Sequence, residues 1–377
     1  MLRTVLVLIT LFLSNLSFSN GWEEQTFQAE IGAEHQTHSA DESGASSSVF
    51  IQSHLTKLIQ GVGIKVGGNI SQLQPDSETF AAHTNYNLSL GSRIFLSPNV
   101  NWDLSAVTSE QLTGEDPMAA VYRDVQSPFN LTNTQAYTSR FNFGSDQAKR
   151  ALMLTYEHMN DELALTEKFI NYGQDTRQNL NTRFQNRITE DTFLVAEYKF
   201  SQFEKSFASS SESTLNLNQL LVGFKTSYLS NSRIEFLVGN SNSKDSSKDK
   251  SDDTFSWKMT NNLNLSDYLI WNVSISEDTQ DSNDESFISA KTVEIATDLR
   301  YLLTDNVNMT VELSAKTRQY GDTIKSKQEL AQFSIAYRVL EQLNLHTAIH
   351  WYSNDDSRDR YDLDGYQWSI GVLWRLL

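Results

Sequence analysis

The sequence predicts an all-β fold: a transmembrane antiparallel β-barrel of about eighteen strands, with short turns at one end and longer loops at the other. Three observations carry this. Segments of about ten residues alternate apolar and polar along most of the chain. Very short turns join these segments in pairs. Aromatic residues recur near segment ends on the apolar face. The last segment, Tyr366 to Leu376, shows the pattern best. Tyr366, Trp368, Ile370, Val372, Trp374 and Leu376 point one way, and Gln367, Ser369, Gly371 and Arg375 the other. Within hydrocarbon such a sheet must close, or backbone groups would be left unpaired. A soluble β-sandwich or β-helix would also alternate, but neither needs outward aromatics at strand ends.

The elements follow in order. Residues 1–19 read as a cleaved secretory signal: Arg3 is the positive start, Val5 to Leu13 the apolar core, and Ser17-Phe18-Ser19 the cleavage site. The mature chain, 20–377, is expected to be a single barrel domain beginning at Asn20. A first strand is predicted at Thr26–Gln36. Short turns are predicted at Lys57–Gly61, Leu96–Asn99, Gly144–Lys149, Ile188–Asp191, Leu229–Ser232, Leu265–Asp267, Leu303–Asn306 and Leu340–Gln342. Several run apolar residue, Ser or Thr, then Pro, Asp or Asn, which are turn formers. Each turn joins two strands, and with the terminal strands the count is about eighteen, both termini on the periplasmic side. Polar segments such as Ser241–Asp253, Glu277–Ser286 and Ser353–Asp364 are predicted as outer loops. The stretch Ala151–Ile188 has room for a short extra hairpin. Ser213–Tyr228 changes parity near Gln219, which predicts a bulge there.

Composition narrows the class. The chain has 377 residues, a formal net charge of −17, no cysteine and four prolines. The absence of cysteine fits a bacterial outer-membrane protein better than a secreted eukaryotic one. The acidic balance excludes nucleic acid as a natural partner. A mean hydropathy of −0.44 looks soluble, yet a barrel shows lipid only at alternate residues. Asn-x-Ser triplets such as Asn69-Ile70-Ser71 and Asn87-Leu88-Ser89 read as part of a polar lumen face, not as glycosylation sites.

Chemistry can concentrate only at the inward positions. The predicted register places Lys65, Arg93, Arg140, Arg183, Arg187, Lys199, Lys225, Arg233, Lys258, Arg300, Lys316, Arg318, Arg338 and Arg375 on the lumen wall. Facing acids are Glu30, Glu34, Asp103, Glu157, Glu197, Glu235, Glu294, Asp298 and Glu312. Two readings stand. A net-basic wall would concentrate anions. Alternatively, cross-strand ion pairs, such as Asp298 with Arg300 and Glu312 with Lys316, neutralise and stiffen the wall. The long segment Glu110 to Asn133 holds Glu115, Asp116, Tyr122, Arg123 and Asp124. It either folds inward as a constriction loop or lies over the mouth.

Catalysis finds no support: there is no nucleophile elbow, zinc motif or phosphate loop. His346 and His350 share a strand face, but four residues along a strand is ~13 Å, too far to chelate one metal. His158 reads as interfacial. Asp362-Leu363-Asp364-Gly365 is half a calcium loop. The expectation is no enzyme, no cofactor and no metal site.

Signal, strand count, turns in the style of Leu96-Ser97-Pro98-Asn99 and Leu303-Thr304-Asp305-Asn306, and the lack of a soluble domain together resemble the β-barrel porin 2 family, over nearly all of the mature chain. That resemblance implies an aqueous path for exopolysaccharide or capsule polysaccharide, working with periplasmic polysaccharide-export proteins. The alternatives are a passive porin for small sugars or anions, and a structural or plugged surface barrel. Other expected partners are outer-membrane lipid, lipopolysaccharide and the barrel-assembly machinery. One departure concerns that machinery. Such barrels usually end in an aromatic residue, whereas this chain ends Trp374-Arg375-Leu376-Leu377, so Trp374 and Leu376 would serve instead.

Overall fold

The computed structural model describes residues 25–39, 44–59, 61–75, 82–114, 129–145, 148–165, 170–207, 213–229, 232–245, 250–281, 289–320, 324–357 and 363–376. The predicted signal, the residues Glu115 to Asp124 and Asp362 lie outside these. Among the described residues every regular element is a strand. The first nine are β1 (Gln25–Ser39), β2 (Gly44–Ile59), β3 (Val62–Pro75), β4 (His83–Ser97), β5 (Val100–Gly114), β6 (Phe129–Phe143), β7 (Arg150–Leu165), β8 (Ile170–Arg187) and β9 (Thr192–Phe207). The rest are β10 (Ser213–Leu229), β11 (Ser232–Asp245), β12 (Lys250–Ser266), β13 (Leu269–Asp281), β14 (Ser289–Thr304), β15 (Val307–Tyr320), β16 (Ile324–Leu340), β17 (Leu343–Asp356) and β18 (Leu363–Arg375). They form one 18-stranded antiparallel sheet that closes through β1 and β18.

All eight predicted short turns fall at junctions of consecutive strands, although Lys57, Leu58 and Ile59 still belong to β2. Their sequence signature has a direct cause. The Thr304 hydroxyl accepts from the backbone N–H of Asn306 at 3.2 Å and of Val307 at 3.1 Å. Ser97 and Ser266 likewise accept from the N–H groups of Asn99 and Tyr268. A Ser or Thr at this place satisfies donors that the tight turn leaves without a ladder partner. The same hairpins carry a one-residue register shift just before the turn, at Phe95/Ser97, Asn264/Ser266 and Leu302/Thr304. The apolar residues that lead these turns, Leu96, Leu265 and Leu303, are exposed, as a residue facing lipid would be.

The predicted outward register agrees with the strand pairing. Trp102 lies beside Ile94 and Phe141, Met309 beside Tyr301 and Ile335, and Ile349 beside Phe333 and Trp368. Exposed Leu88, Leu90, Leu220, Ile295, Leu313 and Ile370 continue this apolar band around the wall.

Four expectations are corrected. The polar segments placed in loops are largely strand: β11 runs to Asp245, β12 starts at Lys250, β13 reaches Asp281 and β17 reaches Asp356. Strands of 13 to 18 residues outrun the ~9–11 needed to cross hydrocarbon, so their polar ends extend the barrel beyond the membrane. Alternation of lipid-facing residues stops where lipid stops, and sequence reading stopped with it. Likewise the first strand extends past Gln36 to Ser39. Among the described residues Ala151–Ile188 holds no extra hairpin, because β7 and β8 pair out to Leu165 and Ile170, with one register shift at Leu163/Ala164. No bulge occurs at Gln219; pairing with β11 is unbroken from Leu215 to Ser227, and the shift comes at Ser227/Leu229. The parity change arises because Leu215 and Leu221 put apolar side chains on the inner face, where they are buried.

That burial marks a crease in the wall. Phe193, Val195, Leu221 and Leu237 form a buried apolar cluster on the inner side of β9, β10 and β11. Each leucine faces a glycine across the ladder, Leu221 opposite Gly239 and Leu237 opposite Gly223. A Cβ at Gly223 would run into the Phe236 carbonyl, and one at Gly239 into that of Leu220. Only glycine lets the backbones come this close. Strands three apart in a flat sheet are ~14 Å apart. Yet Gln219 of β10 donates to Asp278 of β13 at 2.7 Å, so the wall must fold inward here.

Candidate functional site: the lumen wall

The strand register gives the predicted wall residues one common face, opposite the apolar band. Many of its charges are tied to one another. Arg93 grips Asp103 with two bonds, Nε to Oδ1 at 2.5 Å and Nη2 to Oδ2 at 3.0 Å. Arg300 meets Asp298 at 3.2 Å, Lys316 meets Glu294 at 3.7 Å, and Arg375 meets Glu30 at 3.3 Å. Lys316 therefore takes Glu294 on the neighbouring strand, not Glu312 on its own strand. Residues four apart on a strand are ~13 Å apart, so the pairing expected within β15 was out of reach.

Arg183 forms the largest of these clusters. Its guanidinium binds Glu197 at 3.0 Å and also reaches Glu235, across the crease from β8 to β11. Arg187 lies over the Phe193 ring at 5.2 Å, and Lys225 at 6.0 Å from the same ring. Lys65, Arg140, Lys199, Arg233, Lys258 and Arg338 form no ion pair with another described residue.

The wall also carries carboxylates that sequence reading did not place there. Asp161, Asp175, Asp245, Asp252 and Asp278 share the inner face near the outer strand ends. They fell in stretches predicted as loops or left unassigned, and strand continuity past the membrane is the signal that would have found them. The bases Lys65, Arg93, Arg140, Arg187, Arg233 and Arg338 lie toward the short-turn end. The wall thus carries an excess of base toward the short-turn end, whereas acid and base mix at the outer end, as where Arg177 meets Asp175 at 3.8 Å.

Polar ladders fill the space between charges. Asn69 faces Asn87 across β3 and β4, which places both triplets' asparagines on this face. Asn262 and Asn272 are bonded to each other, and Asn272 donates on to Asp298 at 2.8 Å. Ser241, Ser256 and Asp278 form a chain, Ser241 to Ser256 at 2.7 Å and Ser241 to Asp278 at 3.0 Å. Two cavities of about 430 Å³ each lie against the crease. One is reached by Lys225, Arg233, Glu235, Asn272 and Asp298. The other is reached by Arg140, Thr155, Asn179, Asn181 and Lys199.

His346 and His350 share the inner face of β17, and His346 lies 3.9 Å from Glu34. No group of three or more metal-ligating side chains occurs among the described residues. His158 stacks on Tyr137 on the lipid face, ring centroids 6.2 Å apart. The residues named for a constriction, Glu115, Asp116, Tyr122, Arg123 and Asp124, lie outside the described residues.

No protein-family model matches the chain, and no curated protein matches it. Solved structures do. The FrpB iron transporter of Neisseria meningitidis, F5-1 variant, superposes with a TM-score of 0.56 at 9% identity, over 89% of this chain and 64% of that one. The F3-3 variant gives 0.54 at 10% identity, over 87% and 62%. The siderophore receptor PirA of Pseudomonas aeruginosa gives 0.50 at 10% identity, over 94% and 81%. This chain spans less than two thirds of the FrpB chains it matches. Likeness at such identity establishes the fold. The chain is a closed 18-strand barrel of the bacterial outer membrane, apolar toward lipid and polar within.

Proposed function

We propose that this barrel is a transport protein whose lumen gives a hydroxyl-rich polymer, an exopolysaccharide or capsule strand, a wet path across the outer membrane. The observation that supports it is the inner face. That face is a field of Asn, Ser, Thr and Gln side chains among charges of both signs, several of them tied in ion pairs. A neutral or weakly charged polyol can exchange hydrogen bonds along such a wall whatever the sign of the neighbouring charge. Periplasmic export proteins would supply direction. The family resemblance supports the polymer, and the solved barrels support transport in its coarser sense.

A second reading is a passive porin for small sugars or anions. The unpaired bases of the short-turn half favour it, because a basic constriction concentrates anions. One pair of measurements separates the readings. A deletion strain that loses surface polysaccharide supports export. A strain with normal polysaccharide, together with open conductance of the purified barrel in planar bilayers, supports the porin. Normal polysaccharide with no conductance would defeat both and favour a plugged surface barrel.

A further inference from the structure

We infer that the inner wall at β7 and β8, beside the crease, is a binding subsite for a neutral carbohydrate, recognised through hydroxyl groups. The inference rests on the transport reading above and names where and how its cargo would pause.

Three polar atoms carry it. The Thr155 hydroxyl and the side-chain oxygens of Asn179 and Asn181 are buried, and none has a hydrogen-bond partner. Thr155 is only 5% exposed. Asn181 sits directly opposite Thr155 across the ladder, and Asn179 is two residues further along the same face. All three line the same cavity, so their unused capacity is aimed into one space. An unpaired buried polar atom is costly, and three converging on one cavity select a ligand that can pair with them all. Other inner-face atoms without a partner, Asn69 Oδ1 and Ser201 Oγ, do not line this cavity, and Ser241, Ser256 and Asp278 satisfy one another in a chain.

The ligand's class follows from charge and shape. Arg140, Lys199 and Lys258 line the cavity against Glu157, Glu197 and Asp278, three of each sign. An anion or a cation would gain nothing net from that balance. Hydroxyl groups both donate and accept, so they suit asparagine amides in either orientation. Met153 and Leu221 add an apolar surface to the same cavity, which fits the C–H face of a pyranose ring. A volume of about 430 Å³ lies within the ~300–1,000 Å³ usual for small-ligand sites.

The test uses the full barrel, purified and folded in detergent, with heat-modifiable migration as the check of folding. Calorimetry would titrate it with maltohexaose, cellohexaose and, as a charged comparison, hexagalacturonate. The expected result is saturable binding of a neutral hexasaccharide. Asn179→Leu combined with Asn181→Leu should weaken it about tenfold or more, while Thr155→Val should weaken it less. Leu88→Ala, on the lipid face and not among the residues lining the cavity, should leave it unchanged. Three results would overturn the inference: no neutral oligosaccharide binds; the folded double variant binds as tightly as the native protein; or hexagalacturonate binds at least about tenfold more tightly than either neutral probe. Any of these with conductance or polysaccharide export intact rejects the subsite and spares the transport reading. Loss of the transport reading shows instead as normal surface polysaccharide and no conductance.

Discussion

Replacing Arg183 by Gln isolates what the crease cluster contributes. The guanidinium holds Glu197 at 3.0 Å and also binds Glu235, and all three side chains are mostly covered, at 21%, 12% and 12% exposed. The substitution leaves two carboxylates beside each other without a counter-charge. Removing one partner of a buried ion pair costs ~3–5 kcal/mol, and with a fifth of the arginine still open to the lumen we expect the lower part, about 2–4 kcal/mol. Neutralising all three, Arg183→Gln with Glu197→Gln and Glu235→Gln, should recover the loss to within ~1 kcal/mol, since a neutral cluster leaves no stranded charge. Urea unfolding of the barrel in phospholipid vesicles, followed by tryptophan fluorescence, reads both values. A single-variant loss below ~0.5 kcal/mol would refute the claim that this cluster holds the crease. A triple variant as weak as the single one would show that arginine packing matters and charge does not.

Three further outcomes are expected. Trp374→Asp puts a charge at an exposed, interfacial position of β18; its direct cost is ~0–1 kcal/mol, so the main effect should be a lower outer-membrane level of heat-modifiable barrel, seen by fractionation. Thr304→Ala removes an acceptor from two backbone N–H groups and should cost ~0.5–1.5 kcal/mol in the same unfolding assay, whereas Thr304→Ser should be near neutral. If the lumen conducts, its axial charge should rectify current in symmetric low salt and favour chloride over potassium. Exchanging Arg140, Arg233 and Arg338 for Glu should reverse that preference, and 1 M salt, where the Debye length is ~3 Å, should abolish the rectification.

The strand count, the turns and the facing of residues were legible because lipid imposes a strict two-residue period, and because each short turn spells out its own hydrogen bonding. Thr304 and Ser97 are visible in sequence for the same reason that they are needed in structure. The wall's pairing was less legible. Arg93 with Asp103 and Arg375 with Glu30 depend on which residues lie opposite, and that requires the register between strands as well as the face within each. The crease was the least legible feature. Leu221 and Leu237 obey the local period but break the rule that the inner face is polar. The glycines opposite them have meaning only once β10 and β11 are aligned. The unpaired trio of Thr155, Asn179 and Asn181 reads in sequence as ordinary polar filling.

The seam between β1 and β18 gives this barrel a time order. Ten residue pairs join the two strands, from Glu30 with Arg375 to Ser39 with Tyr366. The side-chain bonds across the seam, Arg375 to Glu30 and Gln367 to Gln36, span separations of 345 and 331 residues. Every other seam joins strands that are neighbours in the chain. Hairpins can therefore form locally and early, while this junction must wait until all the rest are in place. Until then both edge strands expose unpaired backbone, which hydrocarbon does not tolerate. Assembly therefore has one commitment step, the zip between the first strand and the last.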